Sequence, residues 1–350
     1  MKKLVYLLIA TVILVSCKKK NEESVIVVGD PDTGFLHGAF VVNEGSFLNN
    51  NASISYIGSA DEISNDIYLQ SNGFELGDVL QSFTVINEQG YAVLNNSQRV
   101  EVMDMKTMRY QASISGLDYP RYLLNVGNGT AYITNGSISG DVKVINLNDR
   151  SIVTSIAVGN GPEKMIILGN YVYVCNSGGW DLDSTISVID ISTNLVSSVI
   201  TVGDRPMDIT SDHNGNIWVI CSGNESWMTG GETAPSCYKI SGVTNQVVDS
   251  VVFALGGIKP KNVAISPAGT TLYLDIDGVS TIDVDANPNN TINFTSANVG
   301  SLDVNPTNGD LWISSVSDFT TPSTVKQYSS SGVLKNTFLA GIGTNGVVFN

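Results

Sequence analysis

Large aromatic residues occur in several polar, glycine-rich segments of the sequence, and these side chains are the ones best suited to contact a ligand. Such segments form loops, which carry a large share of binding residues in folded proteins. An aromatic ring offers a flat apolar surface, to which tyrosine and tryptophan add a polar edge. The residues concerned are Phe47, Phe74, Tyr119, Tyr122, Trp180, Trp227 and Phe319. They predict either a binding surface for a large planar or ring-shaped molecule or wedges packed between structural units.

Polar side chains in the same segments could hydrogen-bond amide or hydroxyl groups of such a ligand. The candidates are Asn95, Asn96, Asn135, Asn176 and Asp181. Two arginines lie beside prolines, because Arg121 follows Pro120 and Arg205 precedes Pro206. Each arginine is expected either to face the ligand or to form a salt bridge with a neighbouring structural unit.

Patterns typical of catalysis are weak in this sequence. The chain has two histidines, His37 and His213, which gives little support to chemistry of the Ser-His-Asp type. No GxSxG, P-loop or HExxH motif is found. We therefore expect a protein that binds its ligand without transforming it, and that uses neither a metal ion nor a cofactor.

Acidic residues leave two other kinds of chemistry open. The segments DIDG (275–278) and WDLD (180–183) resemble parts of calcium-binding loops but lack the distal glutamate. Two carboxyl groups can catalyse glycoside hydrolysis when the distance between them lets them flank the bond that is cleaved. Glu225 with Asp318, or two of the acids within 180–183, are the candidate pairs, and the sequence does not give their separation.

These loops must be positioned by a repeated unit, because short apolar segments led by an aromatic residue recur seven times. The equivalent positions lie 39 to 55 residues apart and are Phe40, Ala92, Tyr132, Tyr173, Trp218, Tyr273 and Trp312. Turns rich in Asn and Gly separate the apolar segments, and no long segment has a helical period. A repeat of this length predicts four short strands per unit. The fold class expected is therefore all-β, a seven-bladed β-propeller.

The first and last units of the repeat complement each other. The first unit begins at its aromatic strand and lacks the strand before it, whereas residues 346–350 form an orphan apolar strand after the last unit. We expect this C-terminal strand to complete blade one and close the ring. In such a ring, the loops between the second and third strands lie on the same face as the connections between blades, which places the aromatic residues together.

The beginning of the sequence has the pattern of an exported lipoprotein. Lys2 and Lys3 precede a short apolar run, and Cys17 follows Leu-Val-Ser. Residues 1–16 are expected to be a signal peptide, Cys17 the lipidated residue, 17–36 a tether and 37–350 the propeller. The net charge of −15 disfavours nucleic acid and anionic membrane surfaces as partners, so the membrane is contacted through the lipid only.

Three further cysteines lie in the predicted propeller, and none belongs to a CxxC pair. Cys221 and Cys237 bracket one insertion. In an oxidising compartment they could close it as a disulfide. Cys175 would then remain a buried thiol.

The segment at 171–206, YVYVCNSGGWDLDSTISVIDISTNLVSSVITVGDRP, resembles the YVTN-type propeller repeat of bacterial surface and periplasmic proteins. FVVNEGSF (40–47), LGDVLQS (76–82), LNNSQRVEVMD (94–104) and YPRYLLNV (119–126) resemble the YncE-like surface lipoproteins of Bacteroidota, a group that includes the BtuG-like cobalamin-binding proteins. The resemblance extends over residues 38–350.

This resemblance implies a monomeric outer-membrane lipoprotein that captures cobalamin or another corrinoid and passes it to a TonB-dependent transporter. Cobalamin would be a bound ligand and not a cofactor. The resemblance implies exposure at the cell surface, with the periplasmic side of the outer membrane as the alternative. Two other functions remain open: a structural or adhesive surface protein that binds glycan or protein, and a carbohydrate-active enzyme.

Overall fold

A computed structural model describes residues 34–136, 139–228, 230–257, 259–286, 291–295 and 298–350. These residues form seven four-stranded antiparallel sheets, so the predicted seven-bladed propeller is confirmed. The predicted signal peptide, Cys17 and nearly all of the predicted tether lie outside the described residues. Within the described part of the chain, no helix is long and apolar enough to cross a membrane.

Each blade is a meander of neighbouring strands. Blade one contains β1 (Ala39–Asn43), β2 (Ser53–Ile57), β3 (Ile63–Ser64) and β28 (Thr344–Phe349). Blade two contains β4 (Leu80–Ile86), β5 (Gln89–Leu94), β6 (Arg99–Asp104) and β7 (Tyr110–Ile114). Blade three contains β8 (Leu123–Gly127), β9 (Thr130–Asn135), β10 (Asp141–Asn146) and β11 (Ile152–Ala157). Blade four contains β12 (Pro162–Leu168), β13 (Tyr171–Asn176), β14 (Thr185–Asp190) and β15 (Leu195–Thr201).

In the remaining three blades the strands also lie side by side in chain order, and the first strand of each blade is next to the central channel of the ring. Blade five contains β16 (Pro206–Ser211), β17 (Asn216–Cys221), β18 (Ser236–Ser241) and β19 (Gln246–Val252). Blade six contains β20 (Val263–Ile265), β21 (Thr271–Leu274), β22 (Val279–Asp283) and β23 (Ile292–Thr295). Blade seven contains β24 (Ser301–Val304), β25 (Leu311–Ser315), β26 (Pro322–Tyr328) and β27 (Leu334–Ile342).

The C-terminal strand β28 is the innermost strand of blade one, as predicted. It pairs antiparallel with β1, and Val347 lies opposite Val41 in the register. Next to this ladder the buried hydroxyl of Thr344 donates a hydrogen bond of 2.7 Å to Oδ1 of Asn43. The ring is therefore closed by main-chain and side-chain bonds between residues 301 positions apart.

The core of the described residues consists of one apolar cluster between each pair of adjacent blades. The aromatic position that repeats in the sequence lies in these clusters, and all seven of its residues are at most 4% exposed. An aromatic ring fills the space between two twisted sheets with few rotatable bonds, which explains why this position is usually aromatic.

Residues 34–38 and 67–72 add two details that the repeat did not predict. Phe35, predicted to lie at the end of the tether, is 3% exposed and packs edge-on against Tyr56 of blade one. A six-residue helix, α1 (Ile67–Asn72), joins blades one and two and buries Ile67 and Tyr68. It is too short to produce a readable helical period.

The disulfide considered between Cys221 and Cys237 is wrong, because both residues are free thiols. In the register, Cys237 lies opposite Ile220 and not opposite Cys221. Side chains alternate across a strand, so this offset of one residue points the two thiols to opposite faces of blade five. Cys221 packs in the cluster shared with blade four, whereas Cys237 packs in the cluster shared with blade six.

Candidate functional site

A cavity of about 530 Å³ lies on the face of the propeller formed by the second-to-third-strand loops and the blade connections. Its lining comes from loops of blades one to five and from the connection that leads into blade six. The repeat predicted that these two kinds of loop share one face. Seven of the residues proposed from the sequence as ligand contacts line this cavity: Phe47, Asn95, Tyr119, Arg121, Trp180, Arg205 and Trp227.

Two tryptophans provide most of the exposed aromatic surface of the cavity. Trp180 is 78% exposed in the β13–β14 loop, and Trp227 is 72% exposed in the β17–β18 loop. The turn before Trp180 needs glycine at position 178, because a Cβ there would lie 2.3 Å from the carbonyl oxygen of Asp181. The backbone N–H of Asp181 donates to the carbonyl of Gly178 at 2.9 Å and closes this turn. The loop therefore holds the indole out from the blade.

Two roles were expected for Arg121, a contact with the ligand or a salt bridge with a neighbouring blade, and the structure has the salt bridge. Its guanidinium donates two hydrogen bonds to Glu163, at 3.0 and 2.9 Å, and a third to Gln81 at 2.5 Å. Burial is the largest single effect and acts to lower the pKa of Arg121, but the charge and hydrogen bonds of Glu163, together with the charges of Tyr122 and Glu44, raise this pKa overall. The pair ties blade three to blade four at the floor of the cavity.

Arg205 has a different environment. It lies in the connection before β16 with φ of 56°, a left-handed conformation that is costly for a residue with a side chain. Its Nη1 donates to the carbonyl of Gly179 at 3.3 Å and lies 3.4 Å from the sulfur of Met228. These two partners are next in sequence to Trp180 and Trp227. The guanidinium therefore lies between the two loops that carry the exposed indoles.

Two lysines complete the positively charged part of the lining. Lys259 forms an ion pair with Glu232 at 3.3 Å and donates to the carbonyls of Asn224 and Thr233, so it supports the β17–β18 loop from below. Lys261 lines the cavity and has no ion pair within the described ranges of the chain.

Below the cavity, charged groups surround the central channel. Lys164 forms an ion pair of 2.6 Å with Asp208 and lies 5.9 Å from the ring of Tyr122. Burial is the largest single effect and acts to lower the pKa of Lys164, but the charge and hydrogen bond of Asp208, together with the charges of Tyr122 and Asp303, raise this pKa overall. Burial raises the pKa of Tyr122 to about 12. Burial also raises the pKa of Glu44, against the effect of its hydrogen bond with Asn345.

The other aromatic residues proposed from the sequence do not line this cavity. Phe74 is 50% exposed and packs edge-on against Tyr68 and Tyr110 near the outer edge of blade two. Tyr122 lies beside the channel, where its hydroxyl accepts a hydrogen bond of 3.3 Å from Gln81. Phe319 is half exposed outside the lining, and its carbonyl accepts a hydrogen bond from the hydroxyl of Ser46.

The polar candidates mostly stabilise their own loops. The amide of Asn96 donates to Asp78 at 2.6 Å, and Asn135 is buried between the backbone N–H of Asp118 and the carboxylate of Asp141. Asp181 is exposed at the turn after Trp180 and lies outside the lining. Asn176 is buried against Thr185 and Ser187. Asn95 alone among these amides lines the cavity.

Sequence reasoning missed several residues of the lining, and a simple signal identifies some of them. Blade connections end in proline, and the residue directly after each of four such prolines lines the cavity. These residues are Arg121, Glu163, Met207 and Lys261. Of them, only Arg121 was proposed from the sequence. Proline fixes the entry into the innermost strand, so the next side chain has a constant position relative to the channel.

Two of the acids weighed for catalysis, Asp183 and Asp318, have structural partners, whereas Glu225 lines the cavity. Asp183 accepts hydrogen bonds from the backbone of Asn160 and Ser184 and from the hydroxyl of Thr185. Asp318 accepts from Thr320 and Thr321, and these bonds lower its pKa to about 2, unlike a general acid. Over the part of the chain that the structure describes, no group of three or more metal-binding side chains occurs.

The fold is that of a seven-bladed β-propeller with a cavity on one face, and the family follows from the sequence. A family model described as "Domain of unknown function (DUF5074)" matches residues 37–336. The chain belongs to this family. A search among functionally curated proteins finds no match.

Solved structures with similar folds have low sequence identity to this chain. A quinonprotein alcohol dehydrogenase-like protein from Bacteroides thetaiotaomicron has a TM-score of 0.66 at 16% identity, over 90% of this chain and 78% of that one. A functionally unknown protein from Desulfotomaculum acetoxidans has a TM-score of 0.66 at 14% identity, over 89% and 98%. Hydrazine synthase of Kuenenia stuttgartiensis has a TM-score of 0.61 at 15% identity, over 73% and 84%. At these identities the likeness concerns the fold alone.

Proposed function

We propose that this protein is an outer-membrane lipoprotein that captures cobalamin or another corrinoid on the loop face and passes it to a TonB-dependent transporter. The observation that carries the proposal is the pair of indoles, Trp180 and Trp227, held 78% and 72% exposed at one cavity. An indole exposed to water lacks the stabilisation that burial would provide. A ligand that covers the two rings would gain this stabilisation on binding.

The cavity has the properties of a ligand site. Its volume of about 530 Å³ lies within the range of roughly 300–1,000 Å³ typical of small-molecule pockets. A corrinoid is a flat ring edged with amides, and its ring would stack on the indoles while protruding from the cavity. Asn95 and the cavity-lining carbonyls offer partners for ring amides. In this function the protein performs no chemistry and needs no metal ligand of its own.

The sequence supports the cellular part of the proposal. The signal pattern ending at Cys17 fits a lipid anchor in the outer membrane. The resemblance to YncE-like and BtuG-like lipoproteins supports corrinoid capture beside a transporter, with the propeller acting as a monomer at the cell surface.

A calorimetric titration of cyanocobalamin into the protein beginning at Ser24 tests the proposal. We expect one-to-one binding, weakened in Trp180→Ala and in Trp227→Ala. Tyr171→Ala is the matched control, because Tyr171 is a partly exposed aromatic residue in the β12–β13 hairpin on the opposite face. Equal affinities for all four proteins would place any binding elsewhere, and the absence of heat would exclude this cargo.

A second candidate function is adhesion to another macromolecule. The outermost strands of blades four and five expose Val199, Val248 and Val252, each more than half exposed. Neighbouring apolar edges of this kind are typical of protein-protein contact. In that function the protein would have no affinity for small molecules, and Val199→Lys with Val248→Lys would abolish partner binding while tryptophan variants would not.

A further inference from the structure

Cations outnumber carboxylates in the lining of the cavity, which contains Glu163 and Glu225 as its acids. Four cationic side chains line it, in a chain with 18 lysines and arginines and a net charge of −15. Arg121 is paired with Glu163, and Lys259 is paired with Glu232. Within the described segments, Arg205 and Lys261 form no ion pair. Glu225 lines the same cavity, but in the part of the chain that the structure describes it forms no ion pair with either cation, so both can contact an anionic group of a ligand.

The hydrogen bonds of Arg205 strengthen this observation. A guanidinium has five N–H donors in a planar fork. Nη1 contacts Gly179 and Met228, which holds the group between the two tryptophan loops. For the three N–H groups on Nε and Nη2, the described part of the chain provides no acceptor. A fork with free donors fits phosphate or carboxylate oxygens.

We propose that the cavity is specific for a planar ring compound that carries a phosphate or carboxylate group, with the ring on Trp180 and Trp227 and the anion at Arg205 and Lys261. This inference rests on the same site as the proposed function and extends it to the charge of the ligand. A corrinoid with a phosphodiester would satisfy it, and a neutral corrinoid fragment would not.

The anion site is tested with two probes that differ by one phosphate. Flavin mononucleotide and riboflavin share a planar ring system, and binding is followed by quenching of flavin fluorescence. We expect the mononucleotide to bind roughly tenfold tighter or more, as a charge-assisted pair implies. The preference should disappear in Arg205→Gln combined with Lys261→Gln. Lys106→Gln, an exposed lysine in the β6–β7 hairpin on the opposite face, is the control.

Equal affinity for the two flavins, no binding of either up to millimolar concentration, or a preference that survives in the double variant would each overturn the anion site. Circular dichroism melting shows whether the double variant is folded, and single variants at each position replace it if it is not. Cyanocobalamin, titrated in parallel, separates the two proposals. If the protein prefers the phosphorylated flavin but does not bind cyanocobalamin, the corrinoid is refuted as the ligand and the anion site stands. If cyanocobalamin binds equally to the wild type and the double variant and neither flavin is preferred, the anion site is refuted and the corrinoid stands.

Discussion

Replacing Asp303 by asparagine should stabilise the protein at neutral and alkaline pH. Asp303 borders a cavity on the innermost strand of blade seven, beside Lys164 and Val347. Its Oδ2 accepts a hydrogen bond of 2.8 Å from the backbone N–H of Val347 on the closing strand. Burial raises the pKa of Asp303 to about 6, although Lys164 and this hydrogen bond act to lower it. An asparagine oxygen can accept the same bond without charge.

The size of the effect follows from the pKa difference. An aspartate in the unfolded chain has a pKa of about 3.9. Between about pH 4 and pH 6 the folded protein binds more protons than the unfolded chain, so the stability contributed by this group falls as pH rises through that window. Two pKa units correspond to about 3 kcal/mol. Because water in the bordering cavity screens the carboxylate, we expect a gain of about 1–3 kcal/mol for the asparagine variant above pH 7.

Urea unfolding at pH 4 and pH 8 measures this effect in the wild type, in Asp303→Asn and in Asp61→Asn. Asp61 is an exposed carboxylate with φ of 58°, a conformation that asparagine also accepts, and serves as the control for charge removal. The advantage of Asp303→Asn should be present at pH 8 and absent at pH 4, and the control should show none. An advantage of the same size at both pH values, or a loss of stability at pH 8, would refute the reasoning.

Three further predictions concern the ring and its bonds. Deleting residues 344–350 should open blade one and abolish cooperative thermal unfolding measured by circular dichroism, and an unchanged melt would contradict the closure. Glu163→Gln leaves the Arg121 charge without its partner and should cost about 3 kcal/mol in urea unfolding, whereas no change would mean that the pair contributes nothing to the floor of the cavity. In the denatured protein beginning at Ser24, we expect a thiol titration to count three free thiols with or without prior reduction. A smaller count before reduction would show that a disulfide is present.

The repeat made the fold predictable because each blade is a local unit. An aromatic strand and hairpin turns recur with nearly constant spacing, and the strand order inside a blade follows the chain order. Even the closure by the C-terminal strand followed from counting strands at both ends. The helix at 67–72 and the docking of Phe35 were missed because each occurs once, outside the repeat.

The site was only partly predictable, since side-chain partners depend on distances between blades. The sequence predicted that Trp180 and Trp227 lie in loops of one face, and both line the cavity there, because the face of a loop follows from its place in the blade. It could not decide whether Arg121 would face a ligand or Glu163, which lies 42 positions away. For the two cysteines of blade five, the error was one of register, because an offset of a single residue moves a side chain to the opposite face of the sheet.

A crystal structure of the protein bound to cyanocobalamin would show whether the loop face captures a corrinoid, as we propose. We expect the corrin ring to lie against Trp180 and Trp227, over the cavity that Arg205 lines. A corrinoid bound on the opposite face or at the outer strands, or crystals grown with excess cyanocobalamin that contain none, would contradict it.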